Sequence, residues 1–204
     1  MTLDKALGGL KVAVALAGAV LLVMLFLGSG RQPRPAGILA RGEPIQTPAD
    51  SRSWHKNGFT ITALARYHIE AYVFSTEPYW FDAGAALAPV DFAVTWGPMS
   101  DPAVFKNFSF WQGSRWFSYR ARGGWPLPQD VIESHSANVH LIPASPGVER
   151  QLKAIHASDV VDMRGYLVEA RGSSMRPWRS SLTRTDTGSG ACELMWVEEI
   201  STRP

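Results

Sequence analysis

A single cysteine, Cys192, is all that this chain of 204 residues has, so no intrachain disulfide can form. A disulfide-built secreted scaffold is thereby excluded. None is needed, because a domain of about 150 residues buries roughly 68–70% of its unfolded surface. Also missing are a phosphate loop, a dinucleotide fingerprint, paired metal-ligand spacings and any triad motif. No internal repeat is visible. A basic surplus is missing where it would matter. Of the 20 Lys and Arg, five (Lys5, Lys11, Arg31, Arg34, Arg41) stand in residues 1–41 beside one acid, Asp4, which leaves 15 bases against 17 acids afterwards. A domain of that balance lacks the electrostatic footprint of a nucleic-acid binder.

What is present divides sharply. Leu7 to Leu27 reads LGGLKVAVALAGAVLLVMLFL, with Lys11 the one charge. As a helix it would reach about 31 Å, the thickness of a hydrocarbon core of roughly 30 Å. Lys11 lies near one end, where its stem can snorkel to the headgroups. A cleaved signal peptide fits less well, since the run exceeds the usual h-region and Gly28-Ser29-Gly30 makes a poor cleavage site. Residues 1–6 are then a short tail and 7–27 a transmembrane helix that makes the lipid bilayer a partner. Basic residues flank both sides, so the positive-inside rule does not choose an orientation. The layout of short tail, anchor and large domain favours a single-pass protein of the bacterial inner membrane, with its C-terminal domain in the periplasm.

Residues 28–53 contain Pro33, Pro35, Pro44 and Pro48 among Gly, Arg and Ser, which predicts a semi-extended linker. All eight Trp follow residue 53, so a folded domain is expected over 54–200. Its pattern is mostly period two. Phe59–Ala65, Tyr67–Ser75, Pro89–Trp96, Trp111–Tyr119, Asn138–Ile142, Asp159–Ala170, Pro177–Leu182 and Ala191–Ile200 read as strands. Tyr67, Ile69, Ala71 and Val73 should share one face. Gly165 marks a bulge or tight bend. Asp101-Pro102 and Ser145-Pro146 open short helices, the second with Val148, Leu152 and Ile155 on one face. The expectation is a mainly β domain, a small OB-like or related barrel with one or two short helices.

The segments Trp96–Asp101 (WGPMSD), His135–Ala144 (HSANVHLIPA), Gly165–Ala170 (GYLVEA) and Ser180–Glu198 (SSLTRTDTGSGACELMWVE) resemble an uncharacterised group of bacterial membrane-anchored proteins. The similarity spans roughly residues 60–200. It implies one coherent domain of bacterial origin and supplies no catalytic residues, since the group has no established activity.

Several residues invite chemistry, each against a plainer reading. His135 and His140 lie five apart, so on a strand they face opposite sides, and no metal site is expected. Cys192 precedes a strand-like run, where a small buried thiol is the simpler reading than a nucleophile. Arg179, Arg184 and Asp186 form a polar cluster that would suit an anion or peptide contact, or merely an Asp-Thr-Gly turn with one ion pair. Trp80, with Tyr79 and Phe81, could stack on a sugar ring or an apolar partner, or belong to the core. No cofactor is implied. The leading expectation is a non-enzymatic binding or assembly module that docks a protein or envelope component. A cell-envelope hydrolase or transferase using Cys192 or His135/His140 is the alternative. A single-strand nucleic-acid face comes third and would need a basic groove.

Overall fold

The longest alternating run makes the longest strand. Phe59–Pro78 is β3, preceded by β1 (Ile45–Pro48) and β2 (Ser53–Lys56). Then follow β4 (Val90–Thr95), α1 (Pro102–Phe105), β5 (Phe108–Gly113), β6 (Trp116–Ala121), α2 (Gln129–Ser134), β7 (Ser136–Pro143), α3 (Pro146–Lys153), β8 (Val160–Gly172), β9 (Met175–Arg179) and β10 (Glu193–Arg203). This computed structural model describes residues 34–173, 175–188 and 190–203. The apolar run 7–27, the tail before it and the first part of the expected linker lie outside the described residues. Among those described, no helix is long and apolar enough to cross a membrane.

The domain is mainly β. Five strands close a hydrogen-bonded ring, β3–β4–β7–β10–β8 and back to β3. Every pair is antiparallel except β7 with β10, which is parallel. Closure leaves these five strands without a free edge. Tyr67, Ile69, Ala71 and Val73 share the inner face, as their alternation requires, and meet Phe92, Val94, Leu141, Met163 and Met195 there. Helix α3 joins β7 to β8 and adds Val148 and Leu152 to this core, with Ile155 just past its end. Ser145 caps α3 by accepting from the Val148 N–H at 3.2 Å, and Asp101 caps α1 from Ala103 at 2.8 Å.

A second apolar core lies on the outer face of the ring, where Phe59, Ile61, Leu87, Ile142, Tyr166 and Leu194 gather under Trp54 and Trp178. The stretch assigned to the linker takes part in the fold. Residues 45–48 pair with β3, Ile45 opposite His68, so the domain begins well before Trp54. Pro48 sits at the end of an outer strand, where a missing N–H removes no necessary ladder bond. Strand β2 turns into β3 through Asn57-Gly58, both at positive φ, the preferred chemistry of a two-residue hairpin. At Gly165 the need is space. A Cβ there would stand 1.9 Å from the Trp196 carbonyl oxygen, and the register shift lies across the ladder, between Val197 and Glu199 of β10.

Candidate functional site beneath the β5–β6 hairpin

Strand β4 is buried on both faces, yet it carries a carboxylate. Its inner residues are Val90, Phe92 and Val94, so Asp91 points outward. Register sets Asp91 directly opposite His140 of β7, and Ala93 opposite Asn138. Asp91 Oδ2 accepts from His140 Nδ1 at 2.8 Å. Its other oxygen accepts from Arg115 Nη1, also at 2.8 Å. A fully buried carboxylate is tolerable only when paired in this way.

Arg115 reaches the site because of the hairpin turn. Ser114 and Arg115 are the two residues between β5 and β6, and both have positive φ, 52° and 67°. That turn type matches the strand twist but strains residues with a Cβ. The guanidinium grips Asp82 through Nε and Nη2 at 3.0 and 2.8 Å and gives Nη1 to the Ala88 carbonyl at 2.8 Å. It lies 3.6 Å from the centre of the Tyr79 ring. Burial raises the Asp82 carboxyl, but the Arg115 guanidinium outweighs this and leaves it below its usual range. Asn138 donates to the Arg115 carbonyl at 3.3 Å, and Gln112 donates to Asn138 Oδ1 at 2.9 Å.

A carboxylate only accepts, so Nδ1 of His140 carries the hydrogen of this bond and Nε2 is the ring nitrogen left over. Nε2 has no protein partner among the described residues. His140 is 3% exposed. It lines a cavity of about 380 Å³ with Asp82, Gly84, Arg115, Met175, Arg176 and Trp178. The Trp178 ring centre is 4.7 Å from that of His140.

A second cavity, of about 200 Å³, opens on the Asn138 side between Trp116, Phe117, Tyr119, Asp186 and Cys192. The Cys192 thiol donates to the Arg115 carbonyl at 4.0 Å. Burial pushes it up to about 12, helped by the charges of Glu193 and Asp91. Its polar partners are Arg115 and Asn138, not a histidine. His135 lies elsewhere. Its Nε2 is 3.0 Å from Glu43 and its Nδ1 is 2.7 Å from the Val131 carbonyl.

The polar cluster of the C-terminal half separates. Arg179 donates to Glu169 at 2.9 Å on the surface. Arg184 turns inward, over the Tyr67 ring and 3.7 Å from Glu193. Asp186 accepts from the Ser181 hydroxyl at 2.7 Å, a side-chain bond to a residue five positions earlier. Glu193 lies inside the ring, where burial pushes its carboxyl up to about 8 against the pull of Arg184. Trp80 and Phe81 are 67% and 99% exposed; Trp80 lines a separate cavity of about 330 Å³ with Lys56, Glu149 and Lys153, the last over its ring at 5.4 Å. No group of three or more His, Cys, Asp and Glu arranged to hold a metal is found among the described residues.

Comparison with protein-family models, curated proteins and solved structures returns no match. The site therefore has to be read from its own chemistry. Asp91 and Arg115, its centre, were not singled out from the sequence. Their signals were there: one acid inside an apolar strand must find a partner, and a hairpin turn built from Ser114-Arg115 aims a cation back at the sheet.

Proposed function

We propose that the chain is a membrane-anchored, extracytoplasmic binding or assembly module, and that the cavity between His140 and Trp178 receives a polar group of its partner. The ring order supports an OB-like barrel. Counted in chain order, its strands run first, second, third, fifth, fourth, with the third and fifth parallel and a helix between third and fourth. The observation that carries the function is the unpartnered Nε2 of His140, held in orientation by Asp91 and facing a cavity walled by Trp178. A ring nitrogen held in orientation beside an aromatic wall suits a polar group of a partner, such as a hydroxyl or amide. Trp80 and Phe81, which precede Asp82 of the cavity wall in the same loop, supply exposed apolar contact area. The partner is a protein or another envelope component.

The alternative, an envelope hydrolase or transferase, draws on the Asp91–His140 pair, which has the form of an oriented general base. It lacks an activated nucleophile, because the Cys192 thiol is pushed up to about 12 and does not contact His140. Photo-crosslinking from positions 80 and 81 in native membranes tests the binding reading. The captured protein is identified, purified and titrated against wild type, His140→Ala and Trp178→Ala. Both substitutions should weaken binding. Equal binding by all three proteins, or no capture from either position, removes the reading.

A further inference from the structure

The two ends of the ring differ. At one end α3 packs beneath Trp80 and the 79–88 loop. At the other, where β4 ends and β7 begins, the chain joins the domain. There the Gly37 N–H donates to Asp101 at 3.0 Å, the Leu39 and Ala40 N–H groups donate to Ser100 Oγ at 3.2 and 3.0 Å, and the Ala40 carbonyl accepts from Gly97 at 2.7 Å. The backbone is thus pinned from Gly37 onward, beside α1. Nine residues, 28–36, separate this point from the end of the apolar run. Fully stretched they reach about 30 Å. A domain of this size is about 40 Å across. The chain is thus pinned at the α1 end of the ring within nine residues of the apolar run.

That end has the side chains an interface selects. Ile38 is 38% exposed and Trp125 is 56% exposed. Trp125 lies on the loop between β6 and α2, which the Arg122 N–H ties to the Asn107 carbonyl at 2.7 Å, immediately after α1. One edge of the Trp125 ring packs near Tyr119 and Phe108, with centres 6.3 and 6.5 Å away. Arg122 precedes Trp125 in the same loop and donates through Nε to Ser109 Oγ at 2.8 Å, and Lys106 follows α1; neither has a carboxylate partner among the described residues. An exposed Trp with Lys and Arg on the same end of a domain is the composition of a membrane-water boundary.

From this placement we infer that the α1 end of the domain, through Trp125, Ile38, Lys106 and Arg122, rests on the phospholipid headgroups of the bilayer that anchors it. On this inference the exposed Trp80 and Phe81, on the 79–88 loop, face away from the lipid. The inference rests on the anchored reading above, and the experiment separates the two. Full-length protein with Cys192→Ser receives one new cysteine at a time, Ala17→Cys, Pro126→Cys or Phe81→Cys. Each is nitroxide-labelled and reconstituted in phosphatidylethanolamine–phosphatidylglycerol vesicles. Accessibility to oxygen and to a water-soluble nickel chelate gives the depth of each label. The expected result is position 17 in hydrocarbon, 126 at headgroup depth and 81 in water. Adding Lys106→Glu and Arg122→Glu should move 126 into water. If 17 is in hydrocarbon but 126 is aqueous, the docking is wrong and the anchor stands. Headgroup depth at 81 overturns it too, as does a label at 126 shielded from both probes, which would mean a protein contact. A label at 17 in water removes the anchor and the inference together.

Discussion

Asp91 and His140 face each other across the β4–β7 ladder, with Oδ2 and Nδ1 2.8 Å apart and the carboxylate wholly inside the protein. Everything polar under the β5–β6 hairpin is arranged around that pair. Arg115 neutralises the carboxylate that the register turns to the outer face of the ring, beneath the hairpin, and His140 is left with one nitrogen to offer.

Arg115 should therefore be worth far more to stability than a surface arginine. Its removal leaves the buried Asp91 carboxylate without its guanidinium, and breaking a buried pair costs about 3–5 kcal/mol. Urea unfolding of Arg115→Ala should show a loss of that size. Asp91→Ala with Arg115→Ala should cost clearly less than the two single changes together, since each removes the other's problem. Strict additivity would mean that the pair is not coupled.

Gly165→Ala tests the close approach of β10. The added Cβ meets the Trp196 carbonyl oxygen, a backbone atom that cannot swing aside. Overpacking of this kind costs roughly 1–3 kcal/mol or more. Gly42→Ala is the control, because nothing lies within 4 Å of a Cβ there. Thermal melts of the two variants should differ clearly, and a Gly165→Ala protein that melts like wild type would contradict the geometry.

Glu193 gives the stability a defined pH dependence. Its carboxyl is raised from 4.5 to about 8 by burial. Between these values the folded protein holds a proton that the unfolded chain has released, so this group's contribution is complete below about 4.5 and is lost as pH rises through about 8. Glu193→Gln, which mimics the protonated acid, should match wild type at pH 5 and be the more stable protein at pH 9. Paired urea titrations at the two pH values read this directly. A wild type that gains stability relative to Glu193→Gln on going to pH 9 would reverse the sign.

Cys192 should be a poor nucleophile despite lining a cavity. With its thiol pushed up to about 12, almost no thiolate exists at pH 8. Native protein should react with iodoacetamide far more slowly than the same protein in urea. Alkylation of the folded protein at the rate of an unfolded thiol would restore the hydrolase reading.

The strands were largely legible because alternation is a local property. Tyr67 to Val73 had to share a face, and the structure packs them together inside the ring. Helix α3 was legible for the same reason, through Val148, Leu152 and Ile155. Strand β1 was hidden by composition, since Pro44 and Pro48 read as linker while an outer strand tolerates both. Strand β2 was missed although Asn57-Gly58 announced its hairpin.

By itself, the sequence determined period-two strands, two capped helices, a chain with no disulfide and one apolar run of membrane length. These follow from neighbours within a few residues, where spacing and propensity act. Only the tertiary structure decided that Asp91 meets His140 and Arg115, that Arg179, Arg184 and Asp186 part company, and that Glu193 points into the ring. Those outcomes depend on strand register and on which face closes inward, and residues 24 to 49 positions apart in the case of the Asp91 cluster have no local signal of their pairing.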